Sequence, residues 1–596
     1  MAARKKTRKK GGKKKPAKKK PVRKKAKKKS QLGLFEGKSK SKTKSRSKKK
    51  EKPKKVAPPT EPKTKPEPKT QRKSRQPKSM AEQMATRQRD ISISEFFTKN
   101  RHLLGFDNPQ KALLTTVKEA VDNSLDACEE AKILPELDIR ITDLKDNRFR
   151  VSITDNGPGI IHSQVKKIFG KLLYGSKFHT LKQSRGQQGI GISAAGMYSQ
   201  LTTGKPVVIT SRTREDRPAH RLEVKIDTRK NEPEVLDDVK GAEWKEPHVT
   251  GTKVEMEIEG LYRGGKRSVD QYIEQTAIAN PHTKIIYHNP KGEQFEFPRL
   301  SEDLPTEPKE IKPHPHGVEL GMLMTMLKTT RGRNLKGALM RDFSRVSERV
   351  ALAICETAKL APSSRPKRLA PEQVEALHKA MSQAKIMNPP TNCVTPIGEE
   401  LIYAGLKQGV EADFFTSVTR SPSVYRGNPF QIEVGIAWGG NLPAEDLCTL
   451  YRVANRVPLQ YQQSDCAITK AVIDTDWRNY KVSQSRGALP SGPLVILVHM
   501  ASVWVPFTSE SKEAVARYPE ILKEIRLALQ LAGRRLSQHL SARRREAEEG
   551  RKHDYIETYI PHIGIALKEI LGLNKTQEMR VVKKLTNTLR RSRKFK

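Results

Sequence analysis

The 596-residue chain carries 115 Lys and Arg against 66 Asp and Glu, a net charge of +49, and is long enough for three or four domains. Its five cysteines, at 128, 355, 393, 448 and 466, form no CxxC pair and no metal-ligand cluster, which argues for a reducing compartment and against structural zinc or disulfides. No apolar run reaches membrane-spanning length and the N-terminus lacks a signal-peptide core, so the expectation is a soluble intracellular protein with no membrane partner.

The positive charge is uneven. Residues 1–80 hold 36 Lys and Arg against 4 Asp and Glu, a net +32, which leaves +17 for all that follows. A stretch such as KKKPAKKKPVRKKAKKK has almost nothing apolar to bury, so residues 1–90 are predicted to be a disordered tail. A polycation of this kind binds phosphates by counterion release without reading sequence. Double-stranded DNA is its expected partner, and a solubilising or localising role is the plainer alternative. Residues 33–39 imitate a phosphate-binding P-loop, but three residues separate the glycines where four are needed.

Ordered sequence is expected from about residue 91, as a strap bearing Ser94-Glu95-Phe96-Phe97 ahead of a long helix. Asn108-Pro109 supplies a capping side chain and a first-turn proline, and the helix is predicted to run to about residue 132. Leu114, Val117, Val121, Leu125 and Cys128 recur at helical spacing as one apolar stripe. On another face Glu119, Asn123 and Asp126 are spaced i, i+4, i+7, with Asp122 beside them. Such a carboxylate can take a proton from water while the amide oxygen binds a hard cation. Taken alone, these residues also fit a solvated polar face.

After Pro135, alternating runs at 137–144 and 148–155, joined at Asp146-Asn147, predict a β-hairpin. Its second strand ends in Asp155-Asn156-Gly157-Pro158-Gly159, where glycines admit a ligand and the Asp155 carboxylate can accept a hydrogen bond from an exocyclic amine, as selection of adenine requires. Residues 171–185, polar and basic, are predicted as a lid or, more plainly, a basic surface loop. Gly186, Gln187, Gln188, Gly189, Ile190, Gly191, Ile192 and Ser193 then open a helix of small residues. Exposed N–H groups at a helix N-terminus make a phosphate cradle. Further strands are predicted at 206–211, 219–227 and 251–258, the last opening on Gly251-Thr252.

This ordered set resembles the ATP-binding (Bergerat) fold shared by gyrases, MutL mismatch-repair proteins, heat-shock chaperones and histidine kinases. The resemblance implies ATP with Mg²⁺ as the bound group, Glu119 as the general base that activates water, and Asn123 as the Mg²⁺ ligand. It implies further that Asp155 reads adenine, that Ser176 and Lys177 belong to the lid, that residues 186–193 wrap the phosphates, and that Thr252 joins the ATP site. In such proteins the strap often swaps onto a second copy.

Tyr262-Arg263-Gly264-Gly265-Lys266-Arg267 is a glycine-bearing basic loop ahead of a helix, expected to touch the DNA backbone through Arg263, Lys266 and Arg267, or else to be a solvated turn. A proline-rich connector at 298–315 closes the ATPase domain, set at residues 91–310. Residues 311–408 turn helical, with helices expected at 339–346, 350–358 and 371–384, and resemble the helix-two-turn-helix insert of type IIB topoisomerases. Residues 427–440, 454–459 and 505–513 resemble the transducer domain of the same family, set at 409–549 with a stalk helix from about 518. Residues 550–596, apolar and then basic, are expected to dock a partner chain. The resemblance makes Lys512, between a strand ending near 507 and a helix starting near 514, the residue that reaches the ATP γ-phosphate during catalysis. Trp477-Arg478-Asn479-Tyr480 departs from the family's Trp-Lys-x-Tyr, yet arginine keeps the charge, so a DNA contact through Arg478 is still expected. Asp474-Thr475-Asp476 is read as a strand end and not a metal site.

The expected fold class is α+β and multidomain: a Bergerat-fold ATPase, a helix-two-turn-helix insert, an α/β transducer with a long stalk, and the tail. The resemblance implies the ATP-hydrolysing B subunit of a type IIB DNA topoisomerase. Its partners would be the DNA-cleaving topoisomerase VI A subunit in an A2B2 heterotetramer, a second copy of itself paired by ATP, and double-stranded DNA. The expected location is the cytoplasm at the nucleoid, or the nucleus of a eukaryote. An ATP-operated clamp of the MutL or chaperone kind is the alternative. A histidine kinase would need a phosphoacceptor helix where the lysine tail stands.

Overall fold

The computed structural model describes residues 92–175, 177, 180–186 and 189–594, with Met80 and Met84. Apart from those two methionines, the predicted tail and its P-loop-like stretch lie outside the described residues, as do Ser176, Gln187 and Gln188.

The first layer is an eight-stranded sheet of β1 (Glu136–Asp143), β2 (Arg148–Asp155), β3 (Val207–Arg212), β4 (Ala219–Asp227), β5 (Glu232–Ala242), β6 (Gly251–Glu259), β7 (Lys284–His288) and β8 (Gln294–Phe297). Their order is β5-β4-β3-β6-β2-β1-β7-β8, with β1 and β7 parallel and the other neighbours antiparallel. Alternation puts Ile139, Ile141, Val151, Ile153, Ile209 and Met256 on one face, where helices Pro109–Glu130, His162–Gly170 and Gly191–Thr203 cover them. The first of these begins where Asn108 Oδ1 accepts the backbone N–H of Gln110 at 2.8 Å and of Lys111 at 3.4 Å. It ends at Glu130, two residues short of the expected limit. The outer strands β5 and β8 carry no alternation of buried and exposed residues, being exposed along nearly all their length, and neither is visible as a strand in the sequence.

Helices Leu320–Thr329, Leu335–Asp342, Glu348–Thr357 and Pro371–Gln383 enclose a core of their own around Leu323, Leu339, Ile354 and Leu377. A second sheet follows, from β9 (Phe414–Thr419), β10 (Ser423–Tyr425), β11 (Asn428–Trp438), β12 (Thr449–Ala454), β13 (Val457–Pro458) and β16 (Leu494–Ser502), ordered β10-β11-β16-β12-β13 with β9 also on β11. A small ribbon of β14 (Ser483–Gln484) and β15 (Pro490–Ser491) stands apart. Helix Glu399–Gly409 lies within the span expected for the insert, yet its Ile402 and Leu406 pack on Val495, Leu497 and Ala437 of the second sheet and on Ile278. The helix lies close because Gly435 has no side chain: a Cβ there would stand 2.5 Å from Leu406 Cδ1 and 2.7 Å from Ile402 Cγ2.

Three local expectations change. Asp474 closes helix Ala467–Asp474 and pairs with Lys470 at 2.7 Å, so it is a helix end and not a strand end. The stalk helix starts at Pro519, beside the expected 518 and five residues after the helix start expected behind Lys512. It then runs unbroken for 53 residues to Leu571, past the expected end at 549 and through Pro561, until Gly572 takes a φ of 62°. A proline removes one backbone donor and reads locally as a stop, but the turns on either side carry the helix past it. Helix Lys575–Lys594 folds back along this stalk, with Lys568 and Glu578 paired at 3.0 Å. The segment expected to dock a partner therefore holds both arms of a helical hairpin, the far end of the stalk and the helix that returns along it. Among the described residues no helix is long and apolar enough to cross a membrane, and all five cysteines are free and buried.

Gly435→Val should wedge helix Glu399–Gly409 off the second sheet. The expected outcome is a loss of about 1–3 kcal/mol, read as a lower denaturation midpoint with unchanged far-UV circular dichroism.

Candidate nucleotide site

Helix Pro109–Glu130, the turn after β2, residues 174, 175, 177, 186 and 189–194, and residues 510–512 surround one cavity of about 540 Å³. It brings together Glu119, Asn123, Asp155, Lys177, Gly186, Gly189, Ile190, Gly191, Ile192, Ser193, Thr252 and Lys512, all named from the sequence.

One end of the cavity is rigid. Asp155 closes β2 opposite Thr252 of β6, and it is 5% exposed. Its Oδ1 accepts the backbone N–H of Gly157 at 2.9 Å and of Thr252 at 3.1 Å, while Oδ2 accepts the Ser124 hydroxyl at 2.9 Å. Burial pushes the carboxyl up to about 6 in spite of these three donors. Ser211 braces the same corner, its Oγ 3.0 Å from both the Gly251 carbonyl and the Thr252 hydroxyl and accepting from the Ile160 N–H at 2.8 Å. Gly251 is required here, because a Cβ would collide with the Asp155 carbonyl.

The other end is built from glycine backbone and charge. The Glu119 carboxylate lies against Gly191, first residue of helix Gly191–Thr203, where any Cβ would overlap it. A carboxylate at a helix N-terminus is held in place by the exposed N–H dipoles. Asn123 stands one turn further along the same helix, exposed toward the cavity. Lys177 pairs with Asp126 at 2.6 Å and Glu130 at 2.9 Å. Arg185 reaches Asp126 at 2.8 Å, Glu129 at 2.6 Å and Asn280 Oδ1 at 2.6 Å. Against burial, which would raise it, Lys177 and Arg185 hold the Asp126 carboxyl below its usual value.

Lys512 arrives from the second layer. Its φ is 53°, and its Nζ donates to the Arg185 carbonyl at 3.0 Å. The loop around it is pinned to helix Pro109–Glu130 on both sides: Lys118 Nζ donates to the Ser511 carbonyl at 3.4 Å, and Lys111 pairs with Glu513 at 2.6 Å and Asp107 at 3.0 Å. Arg185, Ser124 and Ser211 are parts of the site that sequence reasoning missed. The basic lid marked Arg185 only as one cation among several, and the two hydroxyls carry no local signal.

Arg263, Lys266, Arg267 and Arg478 stand apart from the cavity. The first three are exposed on the loop before helix Val269–Ala279, with the Arg267 carbonyl 3.3 Å from Gln110 Nε2. Arg478 sits on the single-turn helix Trp477–Tyr480, whose Trp477 is fully buried, and it pairs with Asp476 at 2.8 Å.

Asp122, 5% exposed, accepts the Tyr272 hydroxyl at 3.3 Å, and burial, outweighing the nearby Lys118, pushes its carboxyl from 3.8 to about 7. The folded chain therefore holds this proton more tightly than the unfolded chain, so the group's contribution to stability falls as pH rises from about 4 through 7. Asp122→Asn does not titrate. Its denaturation midpoint relative to the parent should rise between pH 5 and pH 8, by on the order of 1–3 kcal/mol.

The model described as "Histidine kinase-, DNA gyrase B-, and HSP90-like ATPase" matches residues 108–235, and that described as "Topoisomerase VI B subunit, transducer" matches residues 389–552, helix Glu399–Gly409 included. The B subunit of type 2 DNA topoisomerase 6 from Archaeoglobus fulgidus is 47% identical over 507 residues, covering 85% of this chain and 83% of its own. That of Pyrococcus horikoshii is 38% identical over 532 residues, covering 81% and 92%. Among solved structures, the ATPase region of Saccharomyces cerevisiae topoisomerase II aligns with a TM-score of 0.37 and 11% identity, over 76% of this chain and 100% of that one. With the Bergerat layer and the transducer both matched and relatives alike over most of their length, the chain belongs to the family of topoisomerase VI B subunits.

Proposed function

We propose that this chain binds and hydrolyses ATP as the B subunit of a type II DNA topoisomerase, acting on double-stranded DNA with an A subunit that cuts it. The observation that carries the reading is that Glu119 of the ATPase layer and Lys512 of the transducer face one cavity. A nucleotide there would be seen by both layers at once.

Asp155 accepts a hydrogen bond from the exocyclic amine of adenine, held in place by Gly157, Thr252 and Ser124. Gly186, Gly189 and Gly191 leave room for phosphate oxygens beside backbone N–H groups. Glu119, set against the start of helix Gly191–Thr203, takes the proton of the attacking water. Lys512 leaves the Arg185 carbonyl for the terminal phosphate, and the loop bearing it follows. Among the described residues no three His, Cys, Asp or Glu side chains gather to hold a metal by themselves. That fits Mg²⁺, which takes one or two protein oxygens and draws the rest from phosphate and water; the Asn123 amide oxygen is the protein ligand. When bound, Mg²⁺ neutralises charge on the phosphates.

The same reading includes the finer parts: ATP-driven pairing of two copies with exchange of the strap, an A2B2 assembly, work at the nucleoid, and DNA contacts through Arg263, Lys266, Arg267 and Arg478. It also keeps the ATPase-domain limit near 310, with Ser176, Gln187 and Gln188 in the lid and cradle.

Relaxation of supercoiled plasmid tests it. Relaxation should require ATP, this chain and its DNA-cleaving partner together, and Glu119→Gln should slow ATP turnover by about 10²–10⁴-fold while ATP still binds. Turnover that persists while no cleaving partner restores relaxation would favour a clamp instead. Asp155→Asn should weaken ATP binding by about 1.5–3 kcal/mol. The affinity of the parent should fall as pH is lowered through 6, because the carboxyl accepts best when ionised.

A further inference from the structure

The end of the lid nearest the phosphate cradle is not a free loop. Four of the five residues at 181–185 are bound by residues from outside the ATPase layer. The Leu181 carbonyl accepts from the Ile311 N–H at 3.0 Å. Gln183 donates its backbone N–H to the Cys393 carbonyl at 3.0 Å, and its side-chain amide pairs reciprocally with the Thr395 backbone at 3.1 and 2.7 Å. The Ser184 carbonyl accepts Asn455 Nδ2 at 3.1 Å, and the Arg185 carbonyl accepts Lys512.

The transducer side of this seam is built to hold a shape. Asn455 and Arg456, between β12 and β13, both have left-handed backbone, with φ of 47° and 66°. Two such residues in succession, neither of them glycine, mark a turn that its surroundings over-determine. Asn455 is tied to Ser502 at the end of β16 by a pair of hydrogen bonds at 2.8 and 2.9 Å. The Arg456 N–H donates to His499 Nε2 at 3.1 Å, and His499 Nδ1 lies 2.7 Å from the fully buried Glu433 of β11. The buried Arg456 guanidinium donates to the Pro396 carbonyl at 3.1 Å and faces Glu129, the anion that also holds Arg185, at 3.9 Å.

We infer that residues 181–185 are a coupling segment through which nucleotide binding moves the transducer at points independent of Lys512, with Gln183 and Arg456 as positioning residues. The inference rests on the reading of the cavity as an ATP site. When Lys512 exchanges the Arg185 carbonyl for phosphate, the ties at Gln183 and Ser184 persist. A displacement of the cradle is then carried into the Asn455–Arg456 turn and on to the two central strands, β11 and β16. Neither positioning side chain lines the nucleotide cavity, so their loss should spare nucleotide affinity.

Gln183→Leu, Arg456→Met and Arg456→Lys, each in complex with the DNA-cleaving partner, test this. The KM for ATP should stay at the parent value, while strand-passage events per ATP hydrolysed fall by about five-fold or more in the Leu and Met variants, and Arg456→Lys recovers part of the loss. Hydrogen exchange gives a second readout: a non-hydrolysable ATP analogue should slow exchange at residues 455–459 in the parent but not in Gln183→Leu. Unchanged passage per ATP in both variants overturns the inference. So does a parallel loss of folded protein, ATP affinity and kcat in both, which would make the seam merely structural. A parent complex that turns over ATP without relaxing DNA would remove the topoisomerase reading itself, and the inference with it.

Discussion

Charge carried inside the protein by one helix is the constraint on which the architecture turns. Helix Pro109–Glu130 lays an apolar stripe on the sheet, yet Lys111, Lys118, Asp122 and Asp126 on its other sides are also buried. Buried ions are tolerated when they are paired and hydrogen-bonded, and removing one partner leaves the other uncompensated. The partners come from far along the chain: Arg185 and Lys177 for Asp126, Glu513 for Lys111, the Ser511 carbonyl for Lys118. Folding this one helix into a core therefore requires the lid and the second layer to be in place around it. The ATP cavity is the space those partners leave.

The two ends of that cavity obey different physics. At the Asp155 end both carboxylate oxygens are fixed by backbone or a short hydroxyl, so the recognition surface is preorganised. At the end proposed for the phosphates, Lys512 and Lys177 rest on internal acceptors, a carbonyl in one case and carboxylates in the other. The Lys512 contact can be exchanged for an anion without leaving a charge unpaired, whereas loss of Lys177 would leave the buried Asp126 to Arg185 alone. Specificity and responsiveness are thus assigned to opposite ends of one site.

What the sequence disclosed follows the same division. The acid-and-amide helix, the Asp155 turn, the glycine run and the Gly251-Thr252 strand are local signals, because backbone close approach and helical spacing are written in neighbouring residues. Arg185, Arg456 and the Ser124 contact with Asp155 are tertiary, and a lysine or arginine in a basic loop does not announce which carboxylate it will meet. Strand β5 escaped because it lies at the sheet edge with hardly any residue buried, so no alternation is imposed on it. The stalk was read too short because Pro561 and Gly564 weaken the local helical signal, while packing against Lys575–Lys594 sustains it.

The stalk sets a mechanical scale. Its contacts with the transducer core end near Leu540, and about thirty further residues reach beyond them, some 45 Å at 1.5 Å per residue. A rotation of about 10° at the transducer would sweep the far tip through roughly 8 Å over that length. The helix folded back along the tip doubles its thickness where the bending moment would otherwise be lost to flexure. On the proposed function, a chemical event the size of one phosphate group would be converted into travel comparable to the width of a polypeptide helix, delivered far from where the bond is broken.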